Sequence, residues 1–396
     1  MAEAKALGQL HVGRSMGMGR WVVLAVTALL AACQVVPKNS PGPIVKPPEE
    51  GPVTGQLPTD ATRHRIALLV PLTGANAGVG ESIANAANMA VLDTGGQNIR
   101  VTTYDTAAGA AAAAQKAIAD GNKLILGPLL ADDVKAVAPI GRAAKVPLIS
   151  FSNDTSVAGN GTYIMGFVPT QSVERVVFYA RSRGLTTFAG LVPNGTYGQR
   201  ASQAMIRAVE ASGGKLVAMQ NFDRSAGSIS AAVTKLALNG QYDAILVADS
   251  GRVALQIVPA IRRSGGATAK VLGTELWNTE GTLANSPAMH GAWFASVSDT
   301  YYNQLSAKYR ARFGKGPYRL ASLGYDAVLL ANKIAGGWRV GTPFPIAQLV
   351  DEGGFSGIDG AFRFGRDGIA DRMLEVQQIN ATGFAVIAPA PRSFSK

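Results

Sequence analysis

The chain has 396 residues, with 37 Lys and Arg against 26 Asp and Glu for a formal charge of +11, three His and one Cys. A single cysteine excludes an intrachain disulfide framework, and three histidines leave no His or Cys cluster of the kind zinc needs. The basic balance favours anionic partners, yet no run of five or more Lys/Arg and no basic, aromatic-interleaved segment marks a nucleic-acid surface, so nucleic acid is not an expected partner.

In chain order, Arg14 and Arg20 precede an apolar run over 21–30, and small residues follow it. Residues 21–32 fall short of the roughly 20 apolar residues that cross a bilayer, so 1–32 reads as a secretory leader and not as a membrane span. Leu30-Ala31-Ala32-Cys33 resembles the bacterial lipobox, which implies lipidation of Cys33 and removal of 1–32. That removal takes Lys5, Arg14 and Arg20 against Glu3, a net of +2, and leaves +9. Gln34 after the cysteine points to the outer membrane by resemblance to enteric sorting rules. Residues 33–62 then carry Pro37, Pro41, Pro43, Pro47, Pro48, Pro52 and Pro58 with almost no bulky apolar residues. Such a segment is an extended tether, able to hold a globular part away from its membrane.

From 63 onward short β-branched runs alternate with helical patterns. Strands are expected at 66–70, 99–104, 124–126, 147–150, 188–192, 216–222, 244–247 and 271–272. Between them, Ile83, Ala87, Ala90 and Val91 share one face at period 3.6, 107–119 is nearly pure helix former, and Val134, Val137 and Ile140 line one side of 131–144. Asp132 or Asp133 is expected to cap that last helix. Strands separated by helices imply right-handed crossovers and parallel sheets, with ligands bound beyond the carboxyl ends of the strands. More than 300 residues exceed the usual size of one core and favour two lobes. Later, 321–334 reads as a helix and 357–388 as strands with turns at 365–368 and 380–383.

Motifs for catalysis are lacking. Gly13-Arg14-Ser15-Met16-Gly17 fits GxSxG but lies in the leader, Ser393-Phe394-Ser395-Lys396 fits SxxK at the chain end with no KTG, and Gly74, Gly78 and Gly80 fit neither dinucleotide nor P-loop spacing. No cofactor is expected, and His64 and His290 read as structural. Asp132, Asp133, Asp154, Glu275 and Glu280 leave two-carboxylate hydrolysis as an enzymatic alternative, against which helix capping is the simpler role.

The stretch Ile66-Ala67-Leu68-Leu69-Val70-Pro71-Leu72-Thr73-Gly74, with Gly127-Pro128-Leu129-Leu130 and Val146-Pro147-Leu148-Ile149-Ser150, resembles the type 1 periplasmic binding proteins of the leucine/isoleucine/valine receptor group. The resemblance implies an α/β fold of two doubly wound parallel-sheet lobes joined by three crossings, placed near 167–168, near 296–297 and between about 344 and 357. Lobe 1 would comprise 63–167 and 298–345, lobe 2 168–297 and 346–390, with 391–396 a tail. It also implies a ligand cleft: Tyr197 matches a cleft tyrosine and Glu275 the acid that receives a substrate ammonium. Thr73, Leu130, Asp132, Ser152, Asn153 and Asp154 fall at the other cleft positions. Carboxylates there repel an α-carboxylate, so a cationic, amide or sugar-peptide ligand, or no ligand, is expected in place of a branched-chain amino acid.

Leu126-Gly127-Pro128-Leu129-Leu130, Arg319-Leu320-Ala321-Ser322-Leu323-Gly324-Tyr325-Asp326-Ala327, and Gly357-Ile358-Asp359-Gly360-Ala361-Phe362-Arg363-Phe364 with Arg372-Met373-Leu374-Glu375-Val376 downstream resemble the penicillin-binding protein activator lipoproteins. That likeness implies a non-enzymatic, lipid-anchored envelope protein that contacts a bifunctional murein synthase. A solute receptor for an ABC importer, taking an amino-acid-like or amide ligand, is the alternative.

Overall fold

The computed structural model describes residues 62–394, so the leader, Cys33 and all of the tether except Thr62 lie outside the described residues. Strand β1 (His64–Val70) sends Ile66, Leu68 and Val70 to one face and Ala67 and Leu69 to the other, all fully buried. Burial on both faces is what a β-branched run without polar alternation dictates. Helix α1 (Ala77–Asp93) covers the first face with Ile83, Ala87 and Ala90. Strands β2 (Ile99–Asp105), β3 (Leu124–Leu126), β4 (Leu148–Ser150) and β5 (Thr162–Ile164) pair in the order β2-β1-β3-β4-β5, every pair parallel. Helices α2 (Ala110–Ala119) and α3 (Ala131–Ala143) close the second face through Ala114, Ala117 and Val137. Neither Asp132 nor Asp133 caps α3, contrary to the expectation: Leu130 occupies the cap without a side-chain bond, and both acids lie inside the first turn, where they act through the helix dipole.

The chain leaves this lobe after β5 and enters α4 (Pro169–Ser182), which buries Val173, Val176 and Val177 against the second sheet. That sheet collects β6 (Thr187–Pro193), β7 (Lys215–Phe222), β8 (Ala244–Val247), β9 (Lys270–Gly273) and β10 (Trp293–Ser296). Helices α5 (Thr196–Ala211), α6 (Ala226–Ala237) and α7 (Gly251–Arg263) cover it: α4 and α5 pack on Phe188, Leu246 and Leu272, and α6 and α7 on Leu191, Ile245 and Val271.

The chain returns to the first lobe in α8 (Thr300–Phe313) and α9 (Ala321–Ala335). α8 buries Leu305 and Tyr309 beside Met89, and α9 lies on α1 so closely that a Cβ at Gly324 would stand 2.5 Å from the Ile83 carbonyl oxygen. A small antiparallel sheet follows, β11 (Phe355–Gly357), β12 (Gly360–Phe364) and β13 (Ala370–Arg372). Its Phe355, Phe362, Phe364 and Ala370 pack into the core formed by β1, α1 and α9. Residues 346–372 therefore belong with the first lobe, and the third crossing falls at 373–374 instead of 344–357. Only β14 (Glu375–Asn380) and β15 (Gly383–Ala388) rejoin the second sheet, in the order β15-β14-β10-β9-β8-β6-β7. β14 runs antiparallel to β10 and β15 antiparallel to β14, so this sheet is mixed at one edge and not wholly parallel.

Candidate functional site

Loops at the carboxyl ends of the strands face each other across the inter-lobe cleft, which is where this architecture places ligands. After β3, Gly127 has φ +97° and approaches the Leu69 carbonyl oxygen so closely that a Cβ would sit 2.1 Å away. Only glycine fits there, and the turn it makes sets Leu129 and Leu130 at the cleft. After β9, fully buried Trp277 donates its indole N–H to the Asp249 carbonyl at 3.0 Å and anchors the short turn Glu275–Trp277, with Glu275 and Leu276 at the cleft edge.

The cleft encloses a cavity of about 450 Å3. Val79, Leu129, Leu130, Phe151, Phe167, Leu276 and Leu320 make its walls apolar, while Asn76, Asn153, Glu275, Thr279 and Arg319 supply polar atoms. Glu275 accepts hydrogen bonds from the Ser172 hydroxyl and, at 3.0 Å, from the Tyr197 phenol, which also meets Thr274 Oγ1 at 2.8 Å. Burial raises the pKa of the Glu275 carboxyl, and these bonds pull it back only in part. Burial and the neighbouring Glu275 charge push the Tyr197 phenol well above its ordinary value, so it remains a donor.

Arg319 forms the cavity floor. It bridges Asp299 at 3.2 Å and Asp359 at 2.8 Å and lies over the Tyr302 ring at 4.1 Å. Its charge is thus balanced within the protein. On the rim, the Asp154 carboxylate of the first lobe pairs with the Arg200 guanidinium of the second, and Arg200 also donates to the Asn153 carbonyl at 3.1 Å. Burial acts to raise the Asp154 pKa, but Ser156 and Arg200 outweigh it and hold the carboxylate below its ordinary range.

The sequence-derived site residues divide accordingly. Leu130, Asn153 and Glu275 line the main cavity, and Asn153, Asp154 and Tyr197 a smaller recess beside it. Three others point elsewhere. Thr73 donates to Asp105 at 2.9 Å outside the cavity, Asp132 is 92% exposed and pairs with Lys135 at 2.9 Å, and buried Ser152 accepts the Asp154 amide N–H at 3.0 Å, shaping the loop. Arg200, Ser172, Phe151 and Phe167 were missed. Arg200 had a signal, since it lies one turn into the helix that opens at Thr196-Tyr197 and so shares its cleft-facing end.

Among the described residues no helix is long and apolar enough to cross a membrane, and no group of three or more His, Cys, Asp or Glu is placed to hold a metal ion. A relative from Rickettsia prowazekii, an uncharacterized protein, is 30% identical over 142 residues, 35% of this chain, and the match spans only 38% of that relative's length. Solved structures match far more of the fold. A branched-chain amino acid ABC transporter protein from Rhodospirillum rubrum superposes with a TM-score of 0.72 at 20% identity, covering 82% of this chain and all of that one. A solute binding protein from R. palustris, solved in complex with benzoate, gives 0.60 at 18% identity over 83% and 97% of the two chains. The Streptococcus pneumoniae substrate binding protein LivJ in complex with isoleucine gives 0.61 at 20% identity over 83% and 100%. The family model described as periplasmic binding protein matches residues 64–384, and on that match the chain belongs to the periplasmic binding protein family.

Proposed function

We propose that this chain is a non-enzymatic, periplasm-facing binding protein that holds a small molecule in its inter-lobe cleft, anchored to the outer membrane through lipidated Cys33. The observation that carries the reading is the 450 Å3 cavity, whose walls are apolar and whose polar groups are few and directional, as ligand sites are. Glu275 offers a carboxylate already oriented by Ser172 and Tyr197, while the resemblance to the receptor group assigns Leu130 and Asp154 to the positions where an α-carboxylate would need donors. The ligand favoured is an apolar body bearing an amine or amide. Acid chemistry has less support, because Asp154 is held ionised by Arg200 and Glu275 has no second free carboxylate beside it among the residues lining the cavity.

A thermal-shift screen of hydrophobic amines, amides, amino acids, aromatic acids and muropeptides tests this. A ligand of the folded state adds about 2.7 kcal/mol of stability at 100 times its Kd. A screen without one stabilising compound would sink the proposal.

A second reading is contact with a bifunctional murein synthase. It is favoured by a groove of about 400 Å3 on the first lobe, lined by Tyr301, Leu305, Lys308, Tyr325, Leu329 and Ile358, in which Tyr325 and Ile358 come from the activator-like stretches. Pull-down with purified synthases followed by a glycan-polymerisation assay tests it, and failure to bind any of them would reject it.

A further inference from the structure

A recess of about 150 Å3 adjoins the apolar cavity, and Ala131, Pro169, Thr196 and Tyr197 line it together with Asp154 and Arg200. The first four are opening residues of three separate helices: α3 starts at Ala131, α4 at Pro169 and α5 at Thr196. These helices have 13, 14 and 16 residues, and none has a side chain bonded at its N-cap. Three helix dipoles thus point at one small volume, and the Arg200 guanidinium adds a full positive charge. An anion is favoured there. The chain provides its own: Asp154 Oδ1 accepts from Arg200 Nη2, from the Ser156 amide at 2.9 Å and from the Ser156 hydroxyl. This carboxylate comes from the first lobe and its guanidinium from the second, so the same pair spans the cleft.

Resting on the reading that the cleft binds a ligand, we infer that Asp154 is a specificity-determining residue, an internal anion that fills a carboxylate subsite and thereby excludes acidic ligands. A free acid entering the recess meets a fixed negative charge and has no unpaired cation to receive it. An amide or amine of the same shape, held in the larger cavity, meets neither obstacle. Replacing Asp154 by a neutral residue frees Arg200 for a ligand carboxylate beside the three helix ends, and the cleft becomes an acid-binding site.

The test uses the full chain as wild type, Asp154→Ala, Asp154→Asn and the Asp154→Ala/Arg200→Ala double variant, titrated calorimetrically with two matched pairs, benzoate against benzamide and leucine against leucinamide. Expected is a gain of at least ten-fold in affinity for the acid of one pair in Asp154→Ala, with wild type favouring the amide and the double variant losing the gain. Asp154→Asn reports the same change if Asp154→Ala fails to fold. Wild-type protein that binds acid and amide alike overturns the inference, as do folded neutral variants that gain nothing for either acid. Acid binding in the variant with no amide binding in wild type would uphold Asp154's role while counting against the amide-binding reading. Amide binding in wild type with no acid gain in either variant does the reverse.

Discussion

At Gly198, in the first turn of α5, a methyl group would stand 1.7 Å from the Pro193 carbonyl oxygen, and at Gly80, early in α1, the same distance from the Pro71 carbonyl oxygen. The first strand of each lobe thus runs into a proline, Pro71 just after β1 and Pro193 at the end of β6, and the next helix must lie against that proline's carbonyl. Backbone cannot yield as a flexible side chain can, so Gly198→Ala should destabilise by roughly 1–3 kcal/mol or more, read as a lowered Tm, and should also displace Tyr197 next to it. Glu275 permits a sharper experiment on ligand chemistry. In Glu275→Gln an amine ligand loses a charge-assisted bond, worth about 1.5–3 kcal/mol and hence roughly ten-fold or more in affinity, while an amide ligand loses little. Calorimetric titration of both against wild type and variant decides which class the cleft takes; equal losses would remove Glu275 from amine recognition. The sequence made Tyr197 and Glu275 visible through its resemblance to the receptor group, and folding brings them within 3.0 Å of each other across 78 residues. It hid the fate of Asp132, since position in a loop does not say which way the first turn of a helix aims its side chains, and this one aims at solvent.

Among the elements, the strands that could be read were those buried on both faces, such as β1, β6 and β8, where continuous apolar runs leave one interpretation. β5, with Thr-Tyr-Ile, and β10, with Trp-Phe-Ala-Ser, are three and four residues long and carry no such run. The third crossing was misplaced for a different reason. Alternation in β12 announces a strand with one apolar face, but nothing local says which lobe that face will meet. The answer lies in tertiary packing: Phe362 is 1% exposed, its ring centroid 5.7 Å from Phe355 and 6.1 Å from Phe364, above the core shared with β1 and α9. Removing this ring should cost about 3–5 kcal/mol. Phe362→Ala is therefore expected to lower hydrogen-exchange protection in β1 and α9 more than in β6 and β8. Loss confined to the second lobe would contradict the assignment of the small sheet.

Across the whole molecule, the three crossings are joined by a buried charge network. Arg372, just before the third crossing, donates to the Met165 carbonyl of the first at 2.6 Å, and Arg319 ties Asp299 of the second to Asp359, whose other oxygen accepts from Ser322 at 2.7 Å. Asp326 on α9 lies against this group and accepts the Ile358 amide at 2.6 Å. Burial, followed by the charge of Asp359, pushes its pKa up from 3.8 to about 7, with Arg372 opposing. Between those two values the folded protein keeps a proton that the unfolded chain has released, so stability falls as pH rises through the window. The contribution is fully present below 3.8 and lost as pH passes about 7. Asp326→Asn keeps an acceptor for Ile358 and removes the titration. Denaturant unfolding measured from pH 4 to pH 8 should therefore show wild-type stability declining relative to the variant, with the gap between them changing most in the middle of the window between 3.8 and about 7 and levelling off above it. A gap that stays constant with pH would mean that Asp326 remains ionised in the folded protein and that Arg372 outweighs its burial.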